Sequence, residues 1–176
     1  MDGVKRGLYE QFIDILRGMG AAEGMGAAEG MGAAEGMGMV VGSLTYSETE
    51  AMAYQLTLQL RVLERAGYTL LFWRKSDIMM DNRKHFFLLA NLEHLVPIER
   101  SQLRLIYPVQ LLPEEVAPEL LTITALPFST HLSASYYSLA LLCQQSCLAE
   151  IAHTKLFYFL ERCLKLDPNE RSCLFL

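Results

Sequence analysis

Four cysteines are the side chains of this sequence best suited to covalent or metal chemistry: Cys143, Cys147, Cys163 and Cys173. They lie among apolar residues, form no Cys-x-x-Cys pair and lack the histidine spacing of a zinc site. Cys143 and Cys147 are four residues apart and would share one helix face, but two sulfurs do not complete a tetrahedral site. We therefore expect reduced cysteines that pack as small apolar side chains, with no metal bound.

The histidines and glycines indicate no further site. His85, His94, His131 and His153 share no common spacing. Gly18-Met19-Gly20 looks like the start of a phosphate-binding loop, but such loops follow a strand, and a P-loop also needs a Lys followed by Ser or Thr. None of these features accompanies the run. We expect no phosphate or nucleotide site in this segment.

Trp73 is the one aromatic residue whose neighbours suggest a binding surface. It follows Phe72 and precedes Arg74 and Lys75. This pattern suits either an aromatic and basic platform for a ligand or an ordinary buried side chain. Because large aromatic residues are usually buried, we expect Trp73 in the core and keep the platform as the alternative.

The elements that would position these residues fall into three segments. Residues 1–17 belong to the main domain, and apolar residues at helical spacing predict a short amphipathic helix over 8–17. Residues 18–43 contain the hexamer Gly-Met-Gly-Ala-Ala-Glu three times and part of a fourth copy. A tract this rich in glycine has little apolar surface to offset the entropy lost on ordering, so we predict a flexible insert. The insert is either natural or engineered. Residues 44–176 form the body.

The body begins with a predicted long helix. Ser47 and Glu50 have the form of a capping box, and apolar residues at 52, 56, 60 and 63 mark one face before a stop at Gly67. This face should be buried.

The rest of the body predicts a mainly α fold with small β-hairpins, of the α+β class. Short apolar runs predict strands at 70–73, 78–80 and 85–89. The proline-rich stretch 99–130 shows no sustained periodicity and predicts an ordered loop. Residues 133–149 and 151–166 predict two helices. The first is apolar almost all round, which places it at the centre of the core.

Composition limits the partners and the location. A chain of 176 residues with 52% hydrophobic residues suits one domain with one core. A net charge of -5 and the lack of a basic run disfavour nucleic acid as a partner. No apolar stretch reaches the roughly 18 residues that span a bilayer, and no signal-peptide pattern opens the chain. We expect a cytoplasmic protein that does not enter a membrane.

Several motifs resemble the C-terminal lobe of the protein kinase fold. Ala117-Pro118-Glu119 resembles the Ala-Pro-Glu that ends a kinase activation segment, and Asp167-Pro168-Asn169-Glu170-Arg171 resembles the Asp-Pro-x-x-Arg near the kinase C-terminus. Tyr137-Ser138-Leu139 lies about where kinases carry Trp-Ser-Leu in a buried helix. Gly67-Tyr68, followed by Asp77-Ile78-Met79, has the spacing of the catalytic loop. The alternative is chance, since Asp-Pro turns commonly end helices.

The resemblance implies a structural ion pair and a degenerate catalytic site. Glu119 and Arg171 would form a bidentate pair, as the two motifs do in kinases. Phe72 would stand at the position of the catalytic aspartate, and a phenyl ring cannot accept a proton. Asp77 would replace the metal-binding asparagine, while Asn91 would replace the aspartate of Asp-Phe-Gly. Because an amide is a weaker magnesium ligand than a carboxylate, Asp77 and Asn91 remain only as a vestigial magnesium pair, with no catalytic residue and no cofactor.

These departures favour a catalytically inactive, pseudokinase-like protein that acts as a protein-interaction or structural module. The resemblance gives no room for an N-terminal lobe before residue 8, so half of the ATP cleft would be missing. A lobe without its partner would expose apolar surface, which implies a protein partner or self-association. One alternative is a divergent protein kinase or nucleotide-binding enzyme. Another is a structural component of a viral particle, found in the host cytoplasm or the virion.

Overall fold

The computed structural model describes residues 2–18, 37–81 and 86–174, and within them the chain folds as a mixed α+β protein. Its helices are α1 (Asp2–Gly18), α2 (Tyr46–Arg65), α3 (Ala134–Ser146) and α4 (Lys155–Cys163). Its strands are β1 (Met37–Val40), β2 (Tyr68–Leu70), β3 (Ile78–Asp81), β4 (Phe87–Leu89), β5 (Leu95–Glu99), β6 (Gln102–Leu105) and β7 (Phe128–His131). Short 3-10 helices lie at Lys75–Asp77, Pro118–Thr122 and Pro168–Glu170.

The segment predicted as a flexible insert over 18–43 is partly ordered. Its hexamer repeats at 19–36 lie outside the described residues. Its last part forms β1, which pairs antiparallel with β3, and Val41 is buried in the core. Residues 37–41 therefore contact the body, and the Val41 side chain packs into its core.

Helix α1 is longer than the sequence pattern predicts. It begins at Asp2 instead of residue 8. The first turns contain few apolar side chains, so hydrophobic periodicity gives no signal there. Leu8 and Phe12 are both buried and anchor α1 to the body. On the solvent side, Arg6 Nε lies 3.4 Å from Glu10 Oε1 one turn later.

Helix α2 has the predicted buried face but a different N-terminal cap. Met52, Leu56, Leu60 and Leu63 are all buried, as predicted. The predicted capping box at Ser47 and Glu50 is wrong by two residues. The extended residue is Thr45, whose hydroxyl accepts from the Glu48 backbone N–H, while the Glu48 carboxylate accepts from the Thr45 N–H at 2.7 Å.

The strands form two antiparallel sheets. One has the order β1-β3-β4, and the other has the order β2-β5-β6-β7. Strands β3 and β4 pair as a hairpin, as predicted, with Ile78 opposite Leu89. Strand β2 is not part of a local hairpin, because it pairs with β5. The strand predicted at 70–73 ends at Leu70, where the chain leaves the sheet and turns toward α3.

The stretch 99–130, predicted as an ordered loop, contains part of a sheet. Strands β6 and β7 pair with Gln102 opposite His131 and Leu105 opposite Phe128. More than twenty residues separate the two strands, so their pairing leaves no local periodicity in the sequence. Strand β5 reaches β6 through a tight turn in which Arg100 and Ser101 both have positive φ.

Helix α3 lies in the core, as its composition predicts. Leu139, Ala140 and Cys143 are each completely buried. It ends at Ser146 rather than at 149, because Cys147 is extended and forms a parallel bridge with Leu44. Helix α4 is likewise shorter than the predicted 151–166.

Two buried glutamines of α2 cover the free edge of β4. Gln55 Oε1 accepts from the Phe87 N–H at 2.9 Å. Gln59 Oε1 accepts from the Leu89 N–H at 2.9 Å, and Gln59 Nε2 donates to the Phe87 carbonyl at 2.8 Å. These side chains satisfy the backbone groups of an edge strand. They thereby fix the position of the residues that follow β4, including Asn91.

Candidate functional site

The segment between β2 and β3 is held against α3 by serine hydroxyls. The Trp73 backbone N–H donates to Ser138 Oγ at 2.8 Å, and Ser138 Oγ donates in turn to the Glu115 carbonyl. The Trp73 indole N–H reaches Ser135 Oγ at 3.1 Å. Trp73 and Phe72 are both buried. The interpretation of Trp73 as an exposed binding platform is therefore wrong, and its core placement is confirmed.

The structure brings Asp77 and Asn91 together at the end of this segment. Asn91 Nδ2 donates to Asp77 Oδ1 at 3.0 Å, and the Asp77 carboxylate is buried. Two backbone bonds support the contact, since the Ala90 and Asn91 N–H groups both donate to the Asp77 carbonyl. Asn91 Oδ1 is also used, because it accepts from the Glu93 N–H at 3.0 Å.

This arrangement is a hydrogen-bonded pair with little capacity for a cation. Asn91 presents its nitrogen, not its oxygen, to the carboxylate, and its oxygen closes a local turn. A divalent cation prefers several oxygen ligands, so metal binding here would require Asn91 to give up both contacts. Among the described residues, no group of three or more His, Cys, Asp or Glu side chains is placed to hold a metal ion.

Phe72 contacts two nitrogen-containing side chains. Its ring centroid is 4.2 Å from that of His94, and the Arg74 guanidinium carbon lies 4.5 Å from the Phe72 centroid. Arg74 is fixed by an ion pair of 2.8 Å between its Nε and Glu115 Oε2. These contacts shield the Phe72 ring from water. The side chain at position 72 is a phenyl ring and not a carboxylate.

Two titratable groups border the pair, and burial affects both. The pKa of His94 is lowered, chiefly because burial disfavours the charged imidazolium. The Tyr9 hydroxyl of α1 donates to the Ala90 carbonyl, which adjoins Asn91. Burial raises the pKa of Tyr9, and the negative charge of Asp77 raises it further. Both groups therefore favour their neutral forms near pH 7.

Glu119 and Arg171 meet in a bidentate ion pair. Arg171 Nη1 donates to Glu119 Oε1 at 2.6 Å, and Arg171 Nη2 donates to Glu119 Oε2 at 2.9 Å. The guanidinium also donates to the carbonyls of Lys165 and Leu166 and lies 4.8 Å from the Tyr137 ring centroid. The Arg171 side chain is fully buried and each of its three nitrogens donates at least one hydrogen bond, so the pair is structural.

The remaining sequence candidates are scattered or buried. His131 bonds Ser133, His153 lies in the turn before α4, and His85 is outside the described residues. All four cysteines carry free thiols.

Sequence reasoning missed the stack of Phe72 with His94 and Arg74, because its members come from different segments. The two serines of α3 that bond Trp73 are three residues apart in the sequence. Residues at this spacing lie on one helix face, so the sequence did contain a signal for their shared contact.

An apolar groove opens on another part of the surface. Its volume is about 490 Å³, and no charged side chain lines it. Ile106 and Tyr107, at the end of β6, are exposed beside groove residues. The main lining residues are Leu105, Val109, Leu111, Leu120, Ile123 and Leu126.

No protein-family model and no curated protein matches this chain. In the part of the chain that the structure describes, no helix has both the length and the apolar content to cross a membrane.

Proposed function

We propose that the protein is a catalytically inactive, pseudokinase-like module that acts by binding another protein or a second copy of itself. The observation that carries the proposal is the burial of Phe72 between His94 and Arg74. The resemblance to a kinase C-terminal lobe implies a catalytic aspartate at this position. A stacked phenyl ring can neither accept a proton from a hydroxyl nor orient one.

The bidentate pair of Glu119 and Arg171 supports the resemblance itself. In kinases the Ala-Pro-Glu motif and the arginine near the C-terminus meet through such a pair. Here the two residues lie 52 positions apart and form two charge-assisted hydrogen bonds. The contact between Asp77 and Asn91, 14 positions apart, supports the same arrangement at the metal-binding positions.

A thermal shift assay with ATP and magnesium, together with transfer of labelled phosphate, tests the proposal. We expect no shift and no transfer by the purified chain. A ligand at a hundred times its dissociation constant would stabilise the fold by about 2.7 kcal/mol, which this assay resolves. A shift of that size, or labelled phosphate on the chain or on an added peptide, would contradict the proposal.

Asn91→Asp gives the assay a positive control. It places a second carboxylate beside Asp77, so we expect magnesium to stabilise this variant. The matched control exchanges the two residues, Asp77→Asn with Asn91→Asp, which keeps one carboxylate and one amide. The exchange variant should respond to magnesium no more than the unmodified chain.

The alternative is a divergent nucleotide-binding enzyme. The observation in its favour is the buried Asp77 carboxylate, an oxygen ligand at a position where the resemblance implies metal binding. A magnesium-dependent response of the unmodified chain to ATP would support this alternative. His94, whose ring centroid lies 4.2 Å from that of Phe72, would then be the candidate proton acceptor, and His94→Gln should abolish transfer without abolishing the thermal shift.

The apolar groove is the proposed contact surface for the partner. Tyr107, Leu121 and Leu126 are exposed in the groove or beside it, and the burial of apolar side chains against a partner favours association. Leu126→Asp places a charge in the groove and should weaken self-association measured by static light scattering. Leu148→Asp is the matched control, because Leu148 is exposed but does not line the groove. A chain that stays monomeric and binds no protein would count against the module.

A further inference from the structure

Two edge strands of the molecule differ in how they are covered. The free edge of β4 is bonded by the side chains of Gln55 and Gln59. Strand β7 lies at the end of the four-stranded sheet, and β6 is the one described element that contacts it extensively. An edge strand that nothing covers presents unpaired N–H and C=O groups to any strand that approaches it.

The tight turn between β5 and β6 fixes the direction of the backbone groups in β6. Glu99 and Gln102 face each other across a turn of two residues. At that spacing the two residues exchange both N–H···O bonds with each other. The direction of the backbone groups alternates along a strand. Gln102 therefore uses its groups on β5, and Leu103 directs its own toward β7.

The register of β6 with β7 then shows which backbone groups of β7 point outward. Leu103 faces Thr130, so these two residues form a hydrogen-bonded pair. Ser129 and His131, on either side of Thr130, direct their N–H and C=O groups away from β6. Within the described residues, no other group bonds to these backbone atoms. The outer edge of β7 therefore offers two donors and two acceptors to a further strand.

We propose, resting on the proposed function of a self-associating module, that β7 pairs antiparallel with β7 of a second copy and joins the two sheets. In this pairing Thr130 lies opposite Thr130 of the second copy, and Ser129 of each chain faces His131 of the other. Each facing Ser129 and His131 exchange two N–H···O bonds, and a two-fold axis passes between the threonines. Facing threonines on neighbouring strands also stabilise a sheet.

The charge of this part of the chain favours a second copy as the occupant of the edge. Residues 120–149 contain no Asp, Glu, Lys or Arg, although the chain has a net charge of -5. Two copies that meet here bring no like charges face to face, and β7 lacks the charged side chains that protect many edge strands. Leu126, which lines the apolar groove, lies just before β7. The paired strands therefore extend the contact surface proposed for the groove.

Cysteine cross-linking tests the register of the pairing. Facing residues of a non-hydrogen-bonded antiparallel pair have Cα atoms about 4.5 Å apart, a distance that a disulfide spans. Thr130→Cys should therefore give a covalent dimer when the folded chain is treated with oxidised glutathione and separated on a non-reducing gel. Ser129→Cys is the matched control, because position 129 is more exposed than 130 but faces His131. It should cross-link several-fold more slowly, and the unmodified chain with its free thiols gives the background.

A proline variant separates pairing from folding. Sedimentation equilibrium of the unmodified chain should give a mass that rises with concentration from 19.9 kDa toward twice that value. Ser129→Pro removes an N–H that points away from β6, so the β6–β7 ladder keeps its own bonds. This variant should keep the monomer mass over the same concentration range, with the melting temperature of the dilute unmodified chain.

A lysine variant provides a second measurement where proline disturbs the fold. Ser129→Lys places a charged side chain on the edge strand, which should prevent the approach of a second copy. Gln102→Lys is its matched control, because Gln102 is exposed on β6 and its backbone groups do not take part in the edge. The dimer should be lost with Ser129→Lys and kept with Gln102→Lys.

The results distinguish this interface from the proposed function. A dimer that survives both Ser129 variants, or equal cross-linking at 129 and 130, overturns pairing through β7 and leaves the binding module standing. A chain that stays monomeric but binds an extended peptide or another protein does the same. A chain that stays monomeric and binds no protein overturns both.

Discussion

The pair of Glu119 with Arg171 and the pair of Asp77 with Asn91 differ in how their charge is compensated. Each joins a carboxylate to a nitrogen donor, and Arg171 and Asp77 are equally buried. The first pair is ionic and bidentate, with further guanidinium bonds to two carbonyls. In the second, a single amide N–H serves the carboxylate side chain.

This difference gives the Glu119–Arg171 pair a structural role and bears on whether the Asp77–Asn91 pair could bind a metal ion. A buried ion pair in which every guanidinium nitrogen donates a hydrogen bond holds two segments in a fixed geometry, and losing either member leaves an unpaired buried charge. A carboxylate that faces one neutral amide lacks the second anionic ligand that a magnesium ion prefers. Glu119 and Arg171 therefore hold their two segments together, whereas Asp77 and Asn91 share a hydrogen bond and provide one carboxylate. This contrast underlies the proposal of a binding module.

Breaking the ion pair should produce the largest effect on stability. Arg171→Leu leaves the Glu119 carboxylate without its partner, and we expect a loss of about 3–5 kcal/mol of unfolding free energy. In a chain of this size that lowers the melting temperature by on the order of 10 °C. Thermal denaturation followed by circular dichroism measures it.

Arg171→Lys provides the matched comparison for the ion pair. Lysine keeps the charge but cannot form the bidentate contact, so its loss should be smaller than that of Arg171→Leu. An Arg171→Leu variant that melts with the unmodified chain would show that the pair contributes nothing to stability.

The fold was predictable where the signal is local and continuous. The buried face of α2, the composition of α3 and the β3–β4 hairpin all follow from periodicity within a short window. The capping box was misplaced because Ser47 and Glu50 match the pattern as well as Thr45 and Glu48 do, and only the backbone conformation decides between them. Strand β7 escaped because its partner β6 lies more than twenty residues away. The β5–β6 hairpin escaped because its turn residues, Arg100 and Ser101, are not the glycine or asparagine that usually marks a two-residue turn with positive φ.

The candidate site was predictable only through motif resemblance. The contacts of Glu119 with Arg171 and of Asp77 with Asn91 have no local signature, and only the order of the kinase-like motifs suggested them. The contacts of His94 and Arg74 with Phe72 could not be predicted, because His94 comes from a different segment than Phe72 and Arg74.

Breaking the amide pair should produce a smaller effect than breaking the ion pair. Asn91→Ala removes the donor and leaves the buried Asp77 carboxylate without it, at a cost of about 1–3 kcal/mol. Asp77→Asn removes the charge and keeps an oxygen that accepts from Asn91, so it should cost less than Asn91→Ala. Urea denaturation of the two variants measures the difference. If Asp77→Asn proves the more damaging, the carboxylate has a role beyond this hydrogen bond.

The smallest expected effect is a pH dependence at His94. Burial lowers the pKa of His94 in the folded chain, so the unfolded chain binds a proton first as the pH falls. The contribution of His94 to stability is therefore fully present above its unfolded pKa of about 6.5 and is lost as the pH falls toward the lower folded value. His94→Gln should flatten this part of the stability profile, measured by urea denaturation between about pH 7 and pH 5. Equal slopes for His94→Gln and the unmodified chain would contradict the assignment.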